Sequence, residues 1–101
     1  MDREQRASKR AKLVTEVQYE GAGVRAQTRI SDISMLGVFI DALSPLPAGS
    51  NIRVSFTLPS GHVIDAEGLV VHSQPRIGMG VAFKSLSGEN AERIREFVDS
   101  A

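Results

Sequence analysis

Apolar and polar residues alternate along six short stretches of this 101-residue chain, with glycine and proline clusters between most of them. Leu13, Thr15, Val17 and Tyr19 share one parity; Val24, Ala26, Thr28 and Ile30 share the next, with Arg25, Gln27 and Arg29 opposite them. Gly37-Val38-Phe39-Ile40 reads as a third strand, and Ile52, Val54, Phe56 and Leu58 line one face of a fourth. The run from Val63 to His72 shifts phase near Gly68, as a bulged or bent strand does, and Met79, Val81 and Phe83 mark a sixth. A period of two belongs to strands with one face in a core. Gly21-Ala22-Gly23, the cluster from Ser44 to Gly49, and Pro59-Ser60-Gly61 supply the turns.

Only the end of the chain has a helical period. Ser87 suits an N-cap, Glu89 and Glu92 fall in the first turns, and Ala91, Ile94, Val98 and Ala101 share a face that Phe97 flanks. Short strands with tight turns favour a barrel, because closure removes exposed edges. The expected fold is therefore mainly β: a six-stranded antiparallel barrel of split-barrel type, with one C-terminal α-helix over an opening or flank.

Composition narrows the class. The length fits one domain, and 42% hydrophobic with 24% charged residues is ordinary for a globular protein. The chain has no cysteine, which excludes a disulfide framework and thiolate metal sites. No apolar run reaches the roughly 18 residues of a membrane span, so the expectation is a cytoplasmic protein without membrane insertion.

Charge is balanced overall but unevenly placed. Residues 1–12 carry five basic side chains against two acidic ones, a net +3, and residues 13–101 carry seven against ten, a net −3. The chain divides on this reading into a flexible basic arm, 1–12, and a barrel with its helix, 13–101.

Two short motifs concentrate chemistry. Arg6-Ala7-Ser8-Lys9-Arg10 ends the arm, and Asp32-Ile33-Ser34-Met35-Leu36-Gly37 links the second and third strands. Arginine presents a planar fork of donors that matches a phosphate oxygen pair or the O6/N7 edge of guanine. Aspartate offers only acceptors, which suits the N–H groups of the guanine Watson–Crick edge. Asp32 and Ser34 are two apart, so in an extended chain they point the same way. Gly37 permits close backbone approach, a positive φ, or both. The competing reading of Asp32 is an aspartate turn that satisfies its own backbone.

This pairing of RxxxR with DxSxxG resembles the PilZ domain family, receptors for the bacterial second messenger cyclic di-GMP. The late run Ile77-Gly78-Met79-Gly80-Val81-Ala82-Phe83 looks like the family's late barrel strand, and the resemblance runs along nearly the whole chain. It implies that Arg6 and Arg10 grip phosphates and guanine edges of cyclic di-GMP, that Asp32 takes guanine N–H groups, and that Ser34 hydrogen-bonds the ligand beside Gly37. Gln5 stands where the family tunes how many ligand molecules bind. It further implies a non-enzymatic receptor or adaptor with no cofactor, signalling to a separate downstream protein. The alternative within the same fold is a protein-interaction module, as in motility or pilus machinery, that does not depend on the nucleotide.

Other readings are weaker. Gly78-Met79-Gly80 lacks the third glycine and following helix of a dinucleotide fingerprint. His62 and His72 have no partner at metal-ligand spacing, and a Ser34, His72 and Asp65 triad has no nucleophile-elbow motif behind it. A DNA- or RNA-binding barrel would want stacking rings and a basic groove, whereas this chain has five aromatic residues, no tryptophan and an acidic body.

Overall fold

The computed structural model describes residues 9–101. Six strands, β1 (Ala11–Gly21), β2 (Val24–Ile33), β3 (Gly37–Asp41), β4 (Asn51–Thr57), β5 (Val63–Gln74) and β6 (Gly78–Ser85), precede one helix, α1 (Gly88–Ser100). All neighbours pair antiparallel in the order β1-β2-β3-β6-β5-β4, and β4 returns to β1 with Val17 opposite Phe56, closing the barrel. The expected six-stranded antiparallel barrel with a C-terminal helix is the fold observed.

Inward parity builds the core. Val17, Ile30, Ile33, Ile40, Val54, Ile64, Val70 and Met79 are fully buried, one or two from each strand, and most of their sequence neighbours are more exposed. Strand β1 starts at Ala11, two residues before the 12/13 boundary read from charge, because Ala11 is buried and pairs with Ile33. Strand β2 runs three residues past Ile30, so Asp32 lies inside a strand.

The ladder is interrupted where the sequence period breaks. Between β5 and β6 the register shifts at Glu67/Gly68, where the extra residue is Lys84 of β6, and again between Val70 and His72, where it is Val71; the alternation of β5 runs unbroken through Gly68, so the phase change expected there falls at Val71 instead. In β2 it shifts between Ile30 and Asp32 against β3, and in β1 between Lys12 and Thr15 against β2. Each inserted residue bends its strand and resets which face follows.

The β1–β2 and β5–β6 turns both place a residue in the left-handed region. Between β1 and β2, Ala22 (φ 51) and Gly23 (φ 77) both take the left-handed form of a type I′ turn. Between β5 and β6, Pro75 precedes Arg76 (φ 70), with the Ile77 amide donating to the Gln74 carbonyl at 3.0 Å, as in a type II turn.

Helix α1 is held from its first turn. Ser87 Oγ accepts from the Asn90 amide at 3.0 Å, and His62 Nε2 lies 2.8 Å from Asn90 Oδ1, tying the helix to the β4–β5 turn. Ile94 and Val98 face the core, and Phe97 packs against it partly buried. Antiparallel order puts the β4–β5 turn, the β2–β3 turn and the start of β1 at the same end of the barrel.

Candidate ligand-binding site

The two motifs meet. Arg10 Nη1 donates to Asp32 Oδ1 at 2.6 Å, a contact between residues 22 apart in sequence. Its cause is the barrel's ladder: Lys12 is opposite Asp32 in the β1–β2 pair, which leaves Arg10, two residues earlier, within reach of the carboxylate. Both side chains are open to solvent, 59% for Arg10 and 35% for Asp32. Exposed pairs of this kind contribute only about 0.2–1 kcal/mol. A ligand able to bond both partners can therefore replace the contact at small cost.

Asp32 faces outward because of the β2 bulge. Alternation counted from buried Ile30 would turn Asp32 into the core. Because Ile30 pairs with Ile40 and Asp32 with the very next residue, Phe39, Ser31 is the extra one and Asp32 emerges on the outer wall. Ile33 then returns to the core, fully buried.

Ser34 differs from its expected disposition. The strand ends at Ile33, so the extended spacing that would aim Ser34 beside Asp32 is broken by the turn. Ser34 is 1% exposed; its Oγ accepts from the Leu36 amide at 3.0 Å, and its own amide donates to the Gly37 carbonyl at 2.9 Å. The Leu36 carbonyl accepts from the Phe83 amide at 2.8 Å, fastening this turn to β6. Gly37 has a steric reason: a Cβ there would sit 1.8 Å from the Val81 carbonyl oxygen, so close approach of β3 to β6, with no positive φ, demands the glycine.

Arg6 and Gln5 lie outside the described residues. Sequence reasoning passed over Lys12, whose exposed side chain stands opposite Asp32 and adds a second cation to the carboxylate's surroundings. The signal that could have found it was strand register, which follows only once β1 is known to begin at Ala11. Of the histidines, His62 is engaged with Asn90, and His72 is exposed on β5. Asp65 receives Arg53 Nε at 3.1 Å. Among the described residues, no three His, Asp or Glu side chains gather as a metal-binding group, and no helix is long and apolar enough to cross a membrane.

Comparison with known proteins shows the family and the fold. A family model described as the PilZ domain matches residues 4–100. The structure of the Bacillus subtilis inhibitor of motility (MotI/DgrA) superposes with a TM-score of 0.81 at 19% identity, over 99% of this chain and 51% of that one. The chain thus spans about half of that neighbour's length. The PilZ domain of CeSA from a cellulose-synthesizing bacterium gives 0.69 at 13% identity, over 92% of this chain and 97% of that domain. The Borreliella burgdorferi PlzA protein, solved in complex with c-di-GMP, gives 0.67 at 17% identity, over 97% of this chain and 38% of that one. No curated protein matches the sequence significantly.

Proposed function

The chain belongs to the PilZ domain family, and from that premise we propose that it is a receptor for cyclic di-GMP. The observation that carries this reading is the 2.6 Å contact from Arg10 to Asp32, which joins the two motifs at one place on the barrel. On ligand binding the arginine exchanges the carboxylate for a phosphate or a guanine edge, and Asp32 accepts guanine N–H groups in its stead. Arg6 supplies a second guanidinium, and Gln5 borders the site. Ser34 and Gly37 serve from behind: one fixes the turn that follows Asp32, the other lets that turn lie against β6.

The energetics fit a modest affinity. Charge-assisted hydrogen bonds contribute about 1.5–3 kcal/mol each, and micromolar binding needs ~8 kcal/mol. Ordering chain against the ligand costs roughly 1–2 kcal/mol per residue. Several bonds must therefore form together, which is the use of two arginines and an aspartate on one ligand. The receptor does no catalysis and needs no cofactor. In the cytoplasm it passes its state to a partner protein through the surface that changes when the chain ahead of β1 closes on the nucleotide.

Calorimetric titration of the purified chain with cyclic di-GMP tests the reading. Micromolar to high-nanomolar binding is expected, with Arg6→Ala and Arg10→Ala each at least about tenfold weaker, the loss of roughly one charge-assisted bond. Saturating ligand is also expected to slow trypsin cleavage after Arg3, Arg6, Lys9 and Arg10. No heat and no protection would reject the receptor and favour the interaction module instead.

A further inference from the structure

Of the seven basic side chains that follow residue 12, six are engaged among the described residues. Arg25, Arg29, Arg53, Arg93 and Arg95 meet carboxylates, and Lys84 donates to Asn51 Oδ1 at 2.9 Å. Arg76, exposed in the β5–β6 turn, has neither an ion pair nor a side-chain hydrogen bond among those residues. Its backbone is in an unfavoured place as well. The third position of a type II turn calls for glycine or asparagine, and an arginine held there at φ 70 works against the fold. Strain of this kind collects at functional positions.

The turn is nonetheless fixed. Pro75 presets its first corner, and the Arg76 amide donates to the Leu43 carbonyl at 2.8 Å. A second bond, from the Ala42 amide to the Ile77 carbonyl at 3.3 Å, continues the β3–β6 register past Asp41 and Gly78. These bonds bring the most exposed large apolar side chain, Leu43 at 78%, beside another, Ile77 at 57%. Both line an open groove of about 420 Å³ with Arg76 and the Arg29–Asp41 pair. The groove lies at the end of the barrel away from the β2–β3 turn. Single exposed aliphatics are ordinary; two of them adjoining a cation without a counter-ion are not.

We propose that this groove docks a short segment of a partner protein in which aliphatic side chains flank a carboxylate. The aliphatic groups cover Leu43 and Ile77, and the carboxylate takes the planar fork of Arg76. Charge decides the occupant. A second copy of the chain would bring two such faces together, with arginines outnumbering Asp41 on both sides. An anionic lipid surface calls for a cluster of basic residues, whereas residues 13–101 carry a net −3. Size agrees, because the groove has room for a few side chains and a stable protein pair covers roughly 800 Å² on each partner. A turn already set in place lowers the ordering cost of binding. The docking site goes beyond the receptor reading and does not depend on it.

The test is titration of the isotope-labelled full chain with a short synthetic peptide in which two leucines flank a glutamate, read from backbone amide shifts in NMR. The amides of Ala42, Leu43, Arg76 and Ile77 are expected to move on one saturating curve. Arg76→Glu should weaken binding about tenfold or more, the loss of a charge-assisted bond, and a peptide with lysine in place of the glutamate should recover it. Leu43→Ser should weaken it about fivefold or more through lost apolar burial. Arg76→Gly separates docking from folding: glycine suits the left-handed turn, so this variant should melt at or above the wild-type temperature yet bind weakly. Absent shifts, or equal affinity in wild type and Arg76→Glu, would overturn the proposal. So would self-association in sedimentation equilibrium that Leu43→Ser abolishes, which gives the face to a second copy. Binding to phosphatidylglycerol vesicles that Arg76→Glu abolishes would overturn it too, giving the face to a membrane.

Discussion

The outer wall of the barrel has two halves with opposite habits. On β1, β2, β4 and the start of β5, polar side chains satisfy one another across neighbouring strands. Gln27 donates to Glu16, Arg25 to Glu20, and Arg53 to both Asp65 (3.1 Å) and Glu67 (3.2 Å). In the middle of β3 and β6 the outward residues are Phe39, Gly80 and Ala82, bordered by Asp32 on one side and His72 on the other, and the charged Asp41 at the end of β3 pairs with Arg29. The first half spends its polar capacity on itself. The second is joined by backbones that approach closely through Gly37, Gly68 and Gly78, and its polar groups stand at the margins, where a ligand can use them.

The largest effect should come from breaking the close approach. Gly37→Ala puts a methyl 1.8 Å from the Val81 carbonyl oxygen, so β3 and β6 must separate. We expect a loss of about 3 kcal/mol or more in denaturant unfolding, the upper range for an overpacked site. A loss below about 1 kcal/mol would show that the two strands separate easily and that the halves are not held differently.

Next in size is the binding contrast between two aspartates. Asp32→Ala is expected to weaken cyclic di-GMP by about tenfold or more, since each charge-assisted bond is worth 1.5–3 kcal/mol or so. Asp32→Asn, which keeps one acceptor oxygen, should lose less. Asp65→Ala, on the self-paired half, should leave the titration unchanged. Equal losses in Asp32→Ala and Asp32→Asn would make charge, not acceptor geometry, the essential property of that residue.

Arg53→Ala sharpens the comparison from the other side. It removes two exposed contacts at once, yet each such pair contributes at most about 1 kcal/mol, so stability should fall by no more than about 2 kcal/mol and affinity not at all. Raising the salt concentration should weaken wild-type binding, because partly exposed charges are screened over about 8–10 Å; an affinity that ignores salt would shift the weight from phosphate contacts to base contacts. The smallest effect concerns the β1–β2 hairpin. Ala22→Asn places a residue that tolerates the left-handed region where φ is 51, and should raise stability by about 0.5 kcal/mol in thermal melts.

Much of this was legible in the chain. The strands were announced by alternation or, for β3, by a short run between turn residues, and the helix by its cap and its Ile94–Val98 face, whereas the break expected in β5 near Gly68 falls at Val71. The residues Asp32 and Arg10 were legible as a pair through the RxxxR and DxSxxG motifs, and the contact between them is present. What parity could not reach were the positions where parity itself is reset. It stopped β2 at Ile30, missed the insertion at Ser31, and so assigned Ser34 to the same side as Asp32, whereas the turn buries Ser34. It read His72 as part of an apolar run, and only the bulge at Val71 turns that side chain outward. Glycine was opaque for a different reason: Gly37, Gly78 and Gly80 look alike as letters, and only the neighbouring strand distinguishes the one with open space above it.

The extra residue in β2 also bears on heredity. Deleting the codon for Ser31 would set Asp32 directly after Ile30 and Ile33 two positions after it, so strict alternation would keep the acid on the outer wall and the isoleucine in the core. What the deletion removes is the local bend and added twist that a bulge gives its strand. A lineage can therefore lose this codon without burying a charge, and the change it inherits is in where along the wall the carboxylate stands.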